Sequence, residues 1–162
     1  MIKRLATLCV FVCSLALIPS RMIAQDHPVN LSLFTPIQIV DEKESVSGLR
    51  LSLIYGSNAN VSGFDWGLVT KTSGSFKGVQ WGGVGLVEGN FEGWQWNFVS
   101  LTKGSMAGLQ MGLYNSASYT NGLQFGLVNS TETIKGIQLG LVNLIKTGGF
   151  MPVFPIVNWG GL

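Results

Sequence analysis

Side chains that do chemistry are scarce in this chain. Histidine occurs once, as His27, cysteine twice, as Cys9 and Cys13, and charged residues make up 11% of 162 positions. His27 has no cysteine, histidine or carboxylate at a metal-ligand spacing, and the acidic residues are scattered singly. No glycine-rich turn leads into a helix to cradle a phosphate, so the sequence predicts no enzyme, no metal site and no cofactor.

Both cysteines lie within the first 25 residues. There Lys3 and Arg4 precede an apolar run from Leu5 to Ile18 and a small-residue exit near Ala24. That order predicts a cleaved secretory signal peptide over 1–25, a mature chain starting near Gln25 or Asp26, and no disulfide in what remains. Removing Lys3, Arg4 and Arg21 takes the formal charge from +2 to −1, which leaves no basic balance to argue for a nucleic-acid partner.

Glycine, by contrast, is plentiful, and seven of the 22 mark a repeat: Gly48, Gly63, Gly78, Gly93, Gly108, Gly122 and Gly136, spaced by 15 residues and then, in the last two steps, by 14. Each opens a phrase of the form seen at Gly108-Leu109-Gln110-Met111-Gly112-Leu113-Tyr114-Asn115, which returns as Gly122 to Asn129 and Gly136 to Asn143. One supersecondary unit has been copied along the chain. The organisation is then a segment 26–45, with an alternating first strand at Val29–Leu33 and a charged loop Asp41–Ser45, followed by a repeat domain over 46–159.

Within each phrase the period is two, so the units are strands with different faces. One face carries Trp66, Trp81, Trp96, Met111, Phe125 and Leu139 in its middle, each flanked by further apolar residues. The other carries Arg50, Asp65, Gln80, Gln95, Gln110, Gln124 and Gln138, flanked by glycines. The midpoints between successive tryptophan positions fall at Ser73-Gly74, Glu88-Gly89 and Lys103-Gly104, and glycine in the second place suits a tight hairpin turn. With Gly74, Gly89 and Gly104 as turns, the chain becomes an all-β antiparallel meander of eight or nine strands.

Such a meander hides one face most economically by closing into a small outer-membrane β-barrel. The apolar residues would face lipid, and Arg50, Asp65 and the glutamines would line a narrow lumen, where Arg50 and Asp65 would meet as a cross-strand ion pair. On this reading Met111→Arg should cost about 2–4 kcal/mol near the bilayer midplane, and Gln110→Ala much less. The alternative is a parallel β-solenoid with one coil per repeat, the glutamines stacked in a ladder and the tryptophans as packed core. Against it, a coil needs a second apolar side, and Thr70-Lys71-Thr72-Ser73-Gly74-Ser75 offers none.

The phrases at Gly108–Asn115, Gly122–Asn129 and Gly136–Asn143, with the closing Phe154-Pro155-Ile156-Val157-Asn158-Trp159, resemble a family of bacterial surface-repeat proteins. Arg50 and Asp65 depart from its glutamine position. The resemblance implies an exported surface or outer-membrane protein and assigns no active site. Two functions stay open: a non-enzymatic outer-membrane barrel with a structural, adhesive or narrow-pore role, whose partner is membrane lipid; or a secreted soluble β-solenoid that presents a flat Gly/Gln surface to a protein or host-surface partner, or to itself as fibres.

Overall fold

The computed structural model describes residues 26–161, and the expected signal peptide over 1–25 lies outside them. The described residues contain strands and no helix: β1 (Asp26–Phe34), β2 (Ile37–Gln38), β3 (Ser45–Asn58), β4 (Val61–Thr72), β5 (Phe76–Val87), β6 (Phe91–Thr147) and β7 (Val153–Gly160). Among the described residues no helix is therefore long and apolar enough to cross a membrane.

The strands are parallel, not antiparallel. Gly63 pairs with Gly78, Asp65 with Gln80, Trp66 with Trp81 and Val69 with Val84; the same register joins β5 to β6 throughout, and joins β3 to β4 except for a bulge between Ser52 and Tyr55. β6 runs on through its corners, winding four further coils over residues 91–105, 106–119, 120–133 and 134–147. The molecule is a parallel β-solenoid, one coil per repeat, and the meander and closed-barrel readings are overturned. Their central pairings do not discriminate, because Trp66 lies beside Trp81 in either topology. The residues away from the centre decide it, since antiparallel strands would have set Gly63 against the far end of its neighbour.

Both ends are closed by strands that break the parallel rule. β1 stacks parallel on β3 and β2 folds back antiparallel on β1. β7 returns antiparallel over the last coil, Leu139 facing Val157 and Ile137 facing Trp159.

The glycines predicted as hairpin turns are coil corners instead. The amide of Gly74 donates to Ala59, that of Gly89 to Gly74 and that of Gly104 to Gly89, so the corners stack as a parallel ladder. The glycine that opens each phrase is a second corner. From Gly48 to Gly136 these residues hold φ between +119° and +147°, where a side chain is strained, and a Cβ on Gly93 would run into the backbone carbonyl of Gly78. This is why the repeat keeps glycine there without exception.

Candidate functional site

Two surfaces arise from the alternation, and they lie on opposite sides from those the solenoid alternative assigns. The Gly/Gln face is the interior. Arg50, Asp65, Gln80, Gln95, Gln110, Gln124 and Gln138 are all fully buried. Buried amides need partners, and the 14- to 15-residue period supplies them by stacking. Gln95 Nε2 donates to Gln80 Oε1 at 2.6 Å, Gln110 to Gln95 at 2.8 Å, Gln124 to Gln110 at 2.7 Å and Gln138 to Gln124 at 2.7 Å. Every rung donates toward the N-terminal end. The row terminates on Asp65, whose Oδ2 accepts from Gln80 at 3.0 Å, and a carboxylate, which only accepts, fixes that direction.

Arg50 neutralises the terminus. Its Nε and Nη2 donate to the two Asp65 oxygens, each at 2.7 Å, while Nη1 donates to the Lys71 carbonyl at 2.9 Å and Nη2 to Thr72 Oγ1 at 3.3 Å. This bidentate pair, without solvent exposure on either side chain, is a structural end-piece for the ladder. At the opposite end Gln138 Oε1 has no partner among the described residues, as a one-way row requires.

A second amide row runs the other way. Asn115 Nδ2 donates to Asn129 Oδ1 at 2.9 Å and Asn129 to Asn143 at 2.8 Å, and Asn143 ends on the Phe154 carbonyl at 3.2 Å. Sequence reasoning noted these asparagines as part of the repeat but assigned them no role. Their recurrence at 14-residue spacing beside the glutamines was the signal. Apolar packing is confined to the corners of the coil, where Val46, Val61, Phe76, Phe91 and Met106 stack with Val40, Val87 and Ala117; Phe76 lies on Phe91 at 5.1 Å.

The outer face is apolar. In each coil three alternate residues point outward on one flat wall: Leu49, Leu51 and Leu53; Phe64, Trp66 and Leu68; Trp94, Trp96 and Phe98; and so on to Ile137, Leu139 and Leu141. The tryptophans are therefore neither solenoid core nor barrel exterior. Trp66, Trp81, Trp96 and Phe125 are exposed, and Met111 and Leu139 half-buried among their neighbours. Trp96 stacks on Trp81 and on Trp94, with 5.9 Å between ring centres in each pair. Phe98 and Leu141 stand well out from it, at 66% and 67% exposure. The residues facing outward at these three positions include no charged or hydrogen-bonding side chain other than the indole N–H of the tryptophans.

Charge sits elsewhere. Lys77 and Glu92 pair at 3.0 Å beside the wall. On the opposite side Lys103 meets Glu88 at 2.8 Å and Lys146 meets Glu132 at 2.8 Å. A cleft of about 400 Å3 there is lined by Glu88, Lys103, Ser116, Ser118, Ser130 and Glu132 among others. Among the described residues no group of three or more histidine, cysteine or acidic side chains is placed to hold a metal ion. His27 lies 3.1 Å from Glu44 at the N-terminal end.

A scan against protein-family models finds no match for the chain, and searches of curated proteins and of solved structures find none either.

Proposed function

We propose that this protein is an exported, non-enzymatic β-solenoid that acts as a binding module through its apolar wall. The observation that carries the reading is the composition of that wall: three columns of apolar side chains from β1 to β7, broken only at Gly83 in β5, on a molecule whose glutamine and asparagine rows have gone inside. With strands stacked at about 4.8 Å and side chains at alternate positions, the wall measures roughly 40 Å by 20 Å, about 800 Å2, beyond the largest apolar patches of ordinary monomers, about 300–600 Å2. Nothing in the internal architecture needs it, because the coils are held by the amide ladders and the corner stack. Export is supported by the N-terminal sequence pattern and by the resemblance to surface-repeat proteins. The paired and proline-bearing ends, β2 after Pro36 and β7 with Pro155, work against end-to-end fibre growth.

Detergent binding tests this. In excess dodecyl maltoside the chain should carry bound detergent, measured by light scattering combined with refractive index, and Phe98→Lys/Leu113→Lys should carry far less. Equal binding by a folded double variant would sink the assignment of the wall as a binding surface.

A further inference from the structure

We infer that the occupant of the apolar wall is a second copy of this chain, packed wall to wall about a two-fold axis. This rests on the reading of the wall as the binding surface and names its partner. Size is the first argument. Two walls of about 800 Å2 bury about 1,600 Å2 together, the standard size of a stable protein–protein interface. The shape is that of half a β-sandwich: a sheet face with projecting side chains and hollows between them, one of about 440 Å3 among Trp81, Trp96, Phe98, Met111, Leu113 and Phe125. Two such faces interdigitate at about 10 Å separation.

Symmetry is the second argument. A two-fold contact brings the same patch together from both copies, so every charge on it would meet its own kind near the axis. A wall free of charge meets that condition. The rows number nine, from β1 through β3, β4, β5 and the four coils of β6 to β7, and the middle one is Trp94, Trp96 and Phe98, which combines stacked tryptophans with one of the most exposed side chains. Buried aromatics at the centre of an interface are where binding energy concentrates.

A lipid surface fits less well. The column bordering the wall reads Ser47, Ser62, Lys77, Glu92, Ala107, Asn121, Lys135, and Lys77 is paired with Glu92, so there is no basic collar to attract anionic headgroups. Trp66, Trp81 and Trp96 occupy the middle column of the wall, whereas membrane-anchoring aromatics collect at a boundary.

The experiment is sedimentation equilibrium on the full chain, expressed with its N-terminal segment so that any processing runs its course, with circular dichroism to verify folding. A dimer at micromolar concentration is expected. Phe98→Lys, at the centre, should weaken it by about 30-fold or more, as loss of a hot spot does. Val29→Lys, at the edge row, should weaken it by less than about 5-fold, and Ser73→Lys, on a distant corner, not at all. A dimer indifferent to Phe98→Lys overturns the interface. A monomer that floats with phosphatidylcholine vesicles overturns the second copy as occupant but keeps the wall as a binding surface. A monomer that binds neither vesicles nor dodecyl maltoside overturns both readings.

Discussion

The early and late coils solve the same interior problem with different chemistry. In the first two, opposite charges face each other: Arg50 grips Asp65 and reaches Lys71 and Thr72 on the far side of the coil. In the last three, neutral amides do both jobs. Gln110, Gln124 and Gln138 donate along the stack and also across the coil, to the carbonyls of Ser116, Ser130 and Leu144, while the asparagine row runs beside them. An amide carries both a donor and an acceptor, so it can be repeated indefinitely, but each row leaves one unmatched end. The charged pair is what an end requires. Asp65 absorbs the donors arriving from one side and Arg50 holds the carboxylate from the other, so the ladder stops there with its donors satisfied.

The contrast is broken most sharply at the charged end. Arg50→Met removes one partner of a fully buried pair and strands the Asp65 carboxylate, which costs about 3–5 kcal/mol. Arg50→Met/Asp65→Leu removes both and should recover part of that loss, although Gln80 then keeps only the Thr70 hydroxyl as an acceptor. Urea unfolding of the two variants checks it, and a double variant less stable than the single one would mean that Asp65 is held by something other than Arg50.

In the amide half, Gln110→Ala leaves Gln95 Oε1 and Gln124 Nε2 to face each other across a gap, since each is a full coil away from the missing group. Loss of buried hydrogen bonds on this scale costs about 1–3 kcal/mol. Had the glutamines lined a water-filled lumen they could re-pair, and the cost would be small. Calorimetry on this one variant therefore separates a packed polar interior from a hydrated one.

Much of this was legible before any coordinates. The repeat, the strand period, the two faces and the adjacency of Arg50 to Asp65 all follow from spacing, whereas the glutamines were turned inward only in the barrel reading and outward in the solenoid alternative. The topology was not, for a physical reason: Thr70-Lys71-Thr72-Ser73-Gly74-Ser75 was rejected as the second side of a coil because it lacks apolar residues. The second side needs none here. Thr70 and Thr72 turn inward as hydrogen-bonding partners of Gln80 and Arg50, so a polar wall covers a polar ladder. Demanding an apolar core placed the correct fold second, behind the barrel. The glycines at Gly74, Gly89 and Gly104 added to the error, because a hairpin turn and a solenoid corner both favour a residue without a side chain. The outward tryptophans do not fit the soluble-solenoid expectation, which made them packed core, and only the parallel register with a buried ladder makes their exposure a property of the fold.

The exterior should tolerate what the interior does not. Met111→Arg lies one residue from Gln110 but on the opposite face, where a long side chain can lean along its neighbours and reach water. Its cost in the monomer should be below about 1 kcal/mol, smaller than that of Gln110→Ala and the reverse of the order a lipid-facing strand would give. Thermal unfolding of both variants at low protein concentration compares them directly, and a Met111 variant less stable than the Gln110 variant would return that side chain to a buried or membrane environment.

The smallest effect belongs to the charged side opposite the wall. Glu88 lies between Lys103 at 2.8 Å and Lys71 at 3.6 Å, and its carboxyl is held below the ordinary range, chiefly by the hydrogen bond from Lys103, against an opposing push from desolvation. A lowered folded-state value means that the carboxylate contributes stability fully above the ordinary carboxylate range, and that this contribution drains away as pH falls through the folded-state value. The group is partly exposed and such pairs are weak, so the effect is read as a difference: wild type should exceed Glu88→Gln slightly at pH 7, and the two should converge as pH falls through the folded-state value. Salt should narrow the gap at pH 7, since exposed pairs are screened. The amide ladder carries no titrating group between Gln80 and Gln138, so variants there should show costs that neither acid nor salt removes. A Glu88→Gln difference that persisted unchanged below the folded-state value would show that the side chain acts through packing and not through its charge.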